Sequence, residues 1–226
     1  MYKLLFLVLF SATSFALFAQ NFTKSSDSDP KAKEVLEKMR KKYTAYQTLE
    51  ADFFLEIEVP GQPKETQKGK LIQQGDKYRL KLGGRTLVSD GKSSWLYIEK
   101  SKEVQINDVD EENDGEGGIS SPNDLLKAYE WDGYVYALVN EFSENGKIVQ
   151  QIEFKPVKKD SDYSKVRLTL DKKSSDVVSI KSFGKDGTRY TVLVTKLTPN
   201  KQTPASTFTF SKTECPGCHF EDLRVD

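Results

Sequence analysis

The chain has 226 residues, with 34 Lys+Arg against 34 Asp+Glu, one His and two Cys. Zero formal net charge removes the basic footprint expected of a nucleic-acid binder. A charged fraction of 30% excludes a polytopic membrane protein, and 11% aromatic residues are too many for a disordered chain.

Residues 1–19 carry Lys3, an apolar run from Leu4 to Phe10, and small residues ending at Ala19. That is the layout of a secretory signal peptide, and the apolar run is too short to span a bilayer. Cleavage is expected after Ala19, with Ala16 as a second option. No cysteine lies near either point, so the exported product is not expected to be acylated there. Residues 20–30 are polar and aperiodic and read as a linker, which leaves 31–226 as a single domain.

Asp29-Pro30 supplies an N-cap and a proline for the first helical turn. Ala32, Val35, Leu36, Met39, Tyr43 and Tyr46 follow at three-to-four spacing, which predicts an amphipathic helix over 30–47. From Leu49 the period falls to two. Phe53, Leu55, Ile57 and Val59 form one apolar row, and Tyr78, Leu80 and Leu82 a second. Later rows are Ile152/Phe154, Val166/Leu168/Leu170, Val178/Ile180, Tyr190/Val192/Val194 and Phe208/Phe210.

Between the rows stand Asp90-Gly91, Asn145-Gly146, Asp186-Gly187 and Pro199-Asn200, all turn signals. Strands so spaced predict an antiparallel sheet that curves into a sandwich or barrel. A second helix is predicted at Pro122–Trp131, capped by Ser121, with Leu125, Leu126 and Tyr129 on one face. Alternating apolar residues either fill a core or line a cavity, and the pattern alone does not separate the two.

The segment Thr86-Leu87-Val88-Ser89-Asp90-Gly91-Lys92, followed by Trp95-Leu96-Tyr97, resembles the signature hairpin of the LolA family of outer-membrane lipoprotein carriers. Gly69-Lys70-Leu71, Tyr78-Arg79-Leu80, a Pro-led helix with Leu125 and Leu126, and Phe208-Thr209-Phe210 fall in the family's order. The resemblance implies a mainly β fold, an incomplete antiparallel β-barrel covered by about two α-helices around an apolar cavity. It implies a monomeric periplasmic carrier, without cofactor or catalytic activity, that shields the acyl chains of lipoproteins. Its partners would be acylated lipoproteins, an ATP-driven inner-membrane transporter and an outer-membrane acceptor. Phe53, Leu55, Tyr78, Leu80, Leu82, Leu87, Leu125 and Leu126 are the lipid-binding positions it suggests. One departure stands out: Gln74-Gly75 occupies the place where members often carry an Arg-Pro step whose Arg ties the lid. The alternative reading is a lipid- or lipoprotein-binding sensor of the same fold, or another amphiphile-binding module.

Two motifs point elsewhere. Cys215-Pro216-Gly217-Cys218-His219 has the C-x-x-C-H spacing of c-type haem attachment. It sits at the end of a strand-rich chain with no helix expected beyond it, so a structural disulfide between Cys215 and Cys218 is the favoured reading in an exported protein. Asp110, Glu112, Asp114 and Gly115 mimic a calcium loop, but Ser121 replaces the bidentate Glu that such a loop needs. No metal site is expected. No serine elbow or usable histidine supports catalysis.

Overall fold

The computed structural model describes residues 27–109 and 133–224. The expected signal peptide, most of the linker, the acidic loop from Asp110 onward and the expected helix bearing Leu125 and Leu126 lie outside those residues.

Helix α1 spans Pro30–Thr44. Asp29 caps it, its Oδ1 accepting the Lys31 N–H at 2.9 Å, and Pro30 opens the first turn. Ala32, Leu36, Met39 and Tyr43 form its buried stripe. An isolated helix this short is marginal in water, so that stripe must be covered by something.

A sheet covers it. The strands are β1 (Leu49–Glu58), β2 (Glu65–Gln74), β3 (Lys77–Leu82), β4 (Arg85–Ser89), β5 (Ser93–Ile98) and β6 (Glu103–Asp108), then β7 (Tyr134–Glu144), β8 (Lys147–Pro156), β9 (Tyr163–Asp171), β10 (Val177–Gly184), β11 (Arg189–Pro199) and β12 (His219–Asp222). They form one open sheet in the order β12-β6-β5-β4-β3-β2-β1-β11-β10-β9-β8-β7. Two meanders, β1–β6 and β7–β11, therefore meet where β1 pairs with β11. Tight turns set the hairpin registers. Between β7 and β8, Asn145 (φ 50°) and Gly146 (φ 77°) both take the left-handed conformation that a two-residue hairpin turn requires.

α1 lies on the β7–β11 wing. Its stripe packs with Tyr136, Ile152, Phe154, Val166, Leu168 and Leu170, and Ile152, Leu168 and Leu170 are 0% exposed. Each fully buried side chain of this size contributes about 1.5–3 kcal/mol. Both ends of α1 are tied down. The Asp29 N–H donates to the Tyr136 carbonyl at 2.9 Å, and the Leu138 N–H donates to Asp29 Oδ2 at 3.2 Å. At the other end Lys42 bonds Asp176 and the Ser174 carbonyl, while the Tyr43 hydroxyl accepts the Val177 N–H at 2.9 Å. Burial pushes the Tyr43 phenol up to about 12, so it serves as a neutral anchor across the physiological range.

A second core sits on the opposite face of the other wing. It holds Val88, Val104, Phe210 and Cys215, with Trp95, Tyr97, Cys218 and Phe220 against it. Here the sequence reading needs correction. Phe208 and Phe210 are not on a strand: Pro204 leads into a 3-10 turn at Ala205–Phe208, and both rings are buried as the chain crosses the sheet's face. No sheet edge is open there, because β2 and β3 are paired on both sides. The chain instead reaches the far edge and adds β12 parallel to β6, an exception to the antiparallel expectation. The first helix also ends three residues short of the expected 47, at Thr44.

Phe53 and Gly69 are directly paired on β1 and β2. A Cβ added at Gly69 would lie 2.2 Å from the Phe53 ring, so the ring occupies the space that a side chain would need. Gly69→Ala should therefore lower the unfolding free energy by about 1–3 kcal/mol, the usual range for overpacking. Adding Phe53→Leu should recover part of the loss. Urea unfolding of the single and double variants measures both, and additive losses would contradict the contact.

Candidate functional site

Residues directly opposite one another across antiparallel strands point to the same side of the sheet, and each strand alternates sides. The registers thus define which side chains share the face that α1 covers. On β1 these are Leu49, Ala51, Phe53, Leu55 and Ile57. Pairing carries the face outward to Leu71 on β2, to Tyr78, Leu80 and Leu82 on β3, to Leu87 on β4, and to Leu96 and Ile98 on β5. One transverse row is continuous: Leu96, Leu87, Leu80, Leu71, Ala51 and Leu197 stand opposite one another on β5, β4, β3, β2, β1 and β11.

Six of the positions singled out from the sequence are therefore brought to one face: Phe53, Leu55, Tyr78, Leu80, Leu82 and Leu87. Leu125 and Leu126 lie outside the described residues. The sequence reading missed Leu71, Leu96 and Leu197 as members of the row. Leu71 follows Lys70 and precedes Ile72, so it shows no alternation, and Leu96 lies inside the unbroken apolar run Trp95–Ile98.

Exposure differs sharply along this face. Under α1 the side chains are sealed, with Ile152, Leu168 and Leu170 at 0%. Beyond β1, Leu71, Tyr78, Leu80, Leu82, Leu87, Leu96 and Ile98 are only half-buried. Leu197, Val194 and Leu49 pack against the α1 core, so the half-buried row runs into the sealed one without a polar break. This continuous apolar surface is the candidate site. A separate recess of about 630 Å³ at the β1–β2 turn is lined by Glu58, Val59, Pro60, Gln62, Lys64, Gly187 and Arg189 and does not touch the row.

The opposite face of the same wing is closed by the C-terminal segment, and Arg79 holds it there. Its Nε donates to the Thr207 carbonyl at 2.6 Å and its Nη2 to the Thr209 carbonyl at 2.7 Å, while Nη1 meets Glu214 Oε2 at 2.8 Å. The guanidinium also lies 5.9 Å from the centre of the Phe210 ring. Ser211 and Glu214 complete a capping box around the short turn between them. Partial burial alone would raise the Glu214 carboxyl, but hydrogen bonds from Arg79 and the Ser211 N–H outweigh it and hold it below the usual carboxylate range. Cys215 and Cys218 are joined in a disulfide that closes the Pro216-Gly217 turn, and the next N–H, of His219, donates to the Lys102 carbonyl to start β12. Both thiols are consumed by that bond. Among the described residues no group of three or more His, Cys, Asp or Glu is placed to hold a metal ion. Gln74 ends β2 and Gly75, at φ 57°, makes the turn into β3.

The described residues thus form a mainly β fold: one open, almost wholly antiparallel sheet of twelve strands, sealed by a helix on one wing and carrying a half-buried apolar row on the other. The chain belongs to the LolA family: the profile of "Outer membrane lipoprotein carrier protein LolA" matches residues 44–211. Among solved structures, an uncharacterized conserved protein from Thermus thermophilus superposes with a TM-score of 0.56 at 11% identity, covering 86% of this chain and 99% of that one. A LolA superfamily protein from Nitrosomonas europaea gives 0.42 at 11% identity, covering 79% and 97%. A putative outer membrane lipoprotein-sorting protein domain from Vibrio parahaemolyticus gives 0.43 at 14% identity, covering 77% and 94%. At such identities the Thermus likeness speaks to fold alone. A search of curated proteins gives no match. No helix among the described residues is long and apolar enough to cross a membrane.

The Arg79–Glu214 clasp should make the C-terminal segment acid-sensitive. A carboxyl held below its unfolded value adds stability that is complete above the unfolded value and is lost as pH falls through the folded one. The protection of the β12 amides, taken relative to their intrinsic exchange rate at each pH, should fall over that acidic interval. Arg79→Gln should exchange fast already at neutral pH and lose the acid step. Exchange mass spectrometry reads both, and an unchanged acid step in Arg79→Gln would show that the clasp is not its source.

Proposed function

We propose that this chain is an exported carrier, delivered to the periplasm by residues 1–19, that shields the acyl chains of lipoproteins on its half-buried leucine row. The observation that carries the reading is the continuity of that row with the sealed core under α1. A hydrocarbon chain laid on Leu96, Leu87, Leu80 and Leu71 loses water on one side and extends a packed interior that already exists. Each methylene withdrawn from water contributes about 0.8 kcal/mol, so an acylated protein needs such a surface to cross an aqueous space. Family membership agrees with this reading. Cargo would come from an ATP-driven inner-membrane transporter and pass to an outer-membrane acceptor. Phe53, Leu55, Tyr78, Leu80, Leu82 and Leu87 supply the described part of the contact surface, and Leu125 and Leu126 are assigned to its cover. The chemistry is binding and release, with no catalytic step.

The direct test is release of a triacylated lipoprotein from inner-membrane vesicles into solution by the purified protein. The wild-type chain should carry cargo in a stable complex. Leu80→Glu should weaken that complex about tenfold or more, since it buries an unpaired carboxylate under the chains, while Leu80→Met should retain it. Circular dichroism of each variant verifies the fold. A wild-type protein that binds lipopeptide yet never releases lipoprotein from vesicles would favour the sensing role of the same fold, and one that binds neither would end the carrier reading.

A further inference from the structure

The leucine row has two unlike ends. At its inner end Leu71 is followed by Ala51 and Leu197, which merge with the core under α1. At its outer end Leu96 stands opposite Gln105 on β6. The residues of β6 that share this face are Glu103, Gln105 and Asn107, all half-buried and all polar. β12 continues the change, because its parallel register places His219 beside Glu103 and Glu221 beside Gln105 on the same face. The alternate residues Val104 and Phe220 belong to the core on the other side. The outer strands are thus apolar towards the C-terminal segment and polar towards the leucine row.

From this asymmetry, and resting on the carrier reading, we propose that bound acyl chains lie across the strands. The ester- and amide-bearing head sits on the β6–β12 strip of Glu103, Gln105, Asn107, His219 and Glu221, and the chain ends reach towards α1. Hydrocarbon gains most where water is already excluded, at the inner end, while ester and amide oxygens need donors at the boundary with water. The strip has those donors. Gln105 Nε2 gives one N–H to Glu103 Oε1 at 2.7 Å and keeps a second, and Asn107 offers an amide of its own. The carboxylates of Glu103 and Glu221 oppose an anionic phosphate there, so the strip suits an uncharged glyceryl-ester and peptide head. The span also fits: four strand spacings from β6 to β2 make about 19 Å, and one leaflet's worth of hydrocarbon is about 15 Å.

The test uses the unmodified protein and a synthetic diacylglyceryl-cysteine peptide carrying a nitroxide either beside the glyceryl group or near an acyl terminus. Amide signals are followed by NMR. The head-labelled peptide should broaden Gln105 and Asn107 at least threefold more than Leu71 and Leu197, and the tail-labelled peptide should reverse that ratio. In parallel, Gln105→Leu should bind the lipopeptide about fivefold more weakly, the size of one net hydrogen bond, and bind a head-free hydrocarbon probe unchanged. Binding with the opposite polarity, or with both labels broadening the two ends equally, overturns the proposed orientation and leaves the carrier reading standing. Absence of lipopeptide binding overturns both.

Discussion

The pairing of β1 with β11 is the contact on which the rest of the molecule depends. It joins the strand that follows α1 to the last long strand of the second meander, and so fuses two wings into one sheet with common faces. A one-residue slip in any strand would turn its apolar row to the wrong side. The junction contains such a shift and uses it. Phe53 stands opposite Val194, but Asp52 stands opposite Lys196, so Thr195 is an extra residue in β11. Its hydroxyl donates to the Asp52 carbonyl at 2.9 Å and fixes the bulge. The result is that Val194 and Leu197, three apart in sequence, both face α1. The bulge is what lets the half-buried row of one wing meet the sealed core of the other.

Once that register is set, the two wings are covered from opposite sides. α1 seals one face of β7–β11, and the C-terminal segment seals the reverse face of β3–β6. β4 and β5 therefore have a packed core behind them and an apolar row in front. Leu87 and Val88 are neighbours in sequence with opposite duties, as are Leu96 and Tyr97. Arg79 has the corresponding task on β3. It stands between Tyr78 and Leu80 of the apolar face, and reaches round the back to hold Thr207, Thr209 and Glu214. The stability of the row's foundation is thus decided on the face opposite the row.

These arrangements explain which parts of the structure the sequence makes legible. α1 is readable because its Asp-Pro start and three-to-four spacing reflect a helix with one buried side. β1 and β3 are readable because only one face of each is strongly apolar. β5 reads as a continuous apolar run, which is the mark of a strand covered on both faces but does not say which side is which. The inner row of β2 is broken by Gly69, whose place is filled by Phe53 from the neighbouring strand, a substitution no local pattern records. Phe208-Thr209-Phe210 mimics a strand because two buried rings two residues apart also suit an irregular segment crossing a sheet. β12 is four residues long and parallel, and its pairing is imposed by the tertiary path after the Cys215–Cys218 turn rather than by its own propensity.

The degree of burial also sets how tightly such a surface would hold a hydrocarbon chain. If several acyl chains were buried as completely as Leu168 and Ile152, at about 0.8 kcal/mol per methylene, release to an acceptor would be very slow. The leucine row is only partly withdrawn from water, so its gain on covering a chain is the part of each side chain still exposed together with the chain's own surface. α1 meanwhile is anchored at both ends through Asp29, Lys42 and Tyr43. On the proposed carrier reading, the sealed wing would give a preformed edge for chains to pack against, and incomplete burial on the other would moderate the affinity. A surface divided in this way suits a molecule that must bind hydrocarbon firmly enough to carry it and loosely enough to let it go.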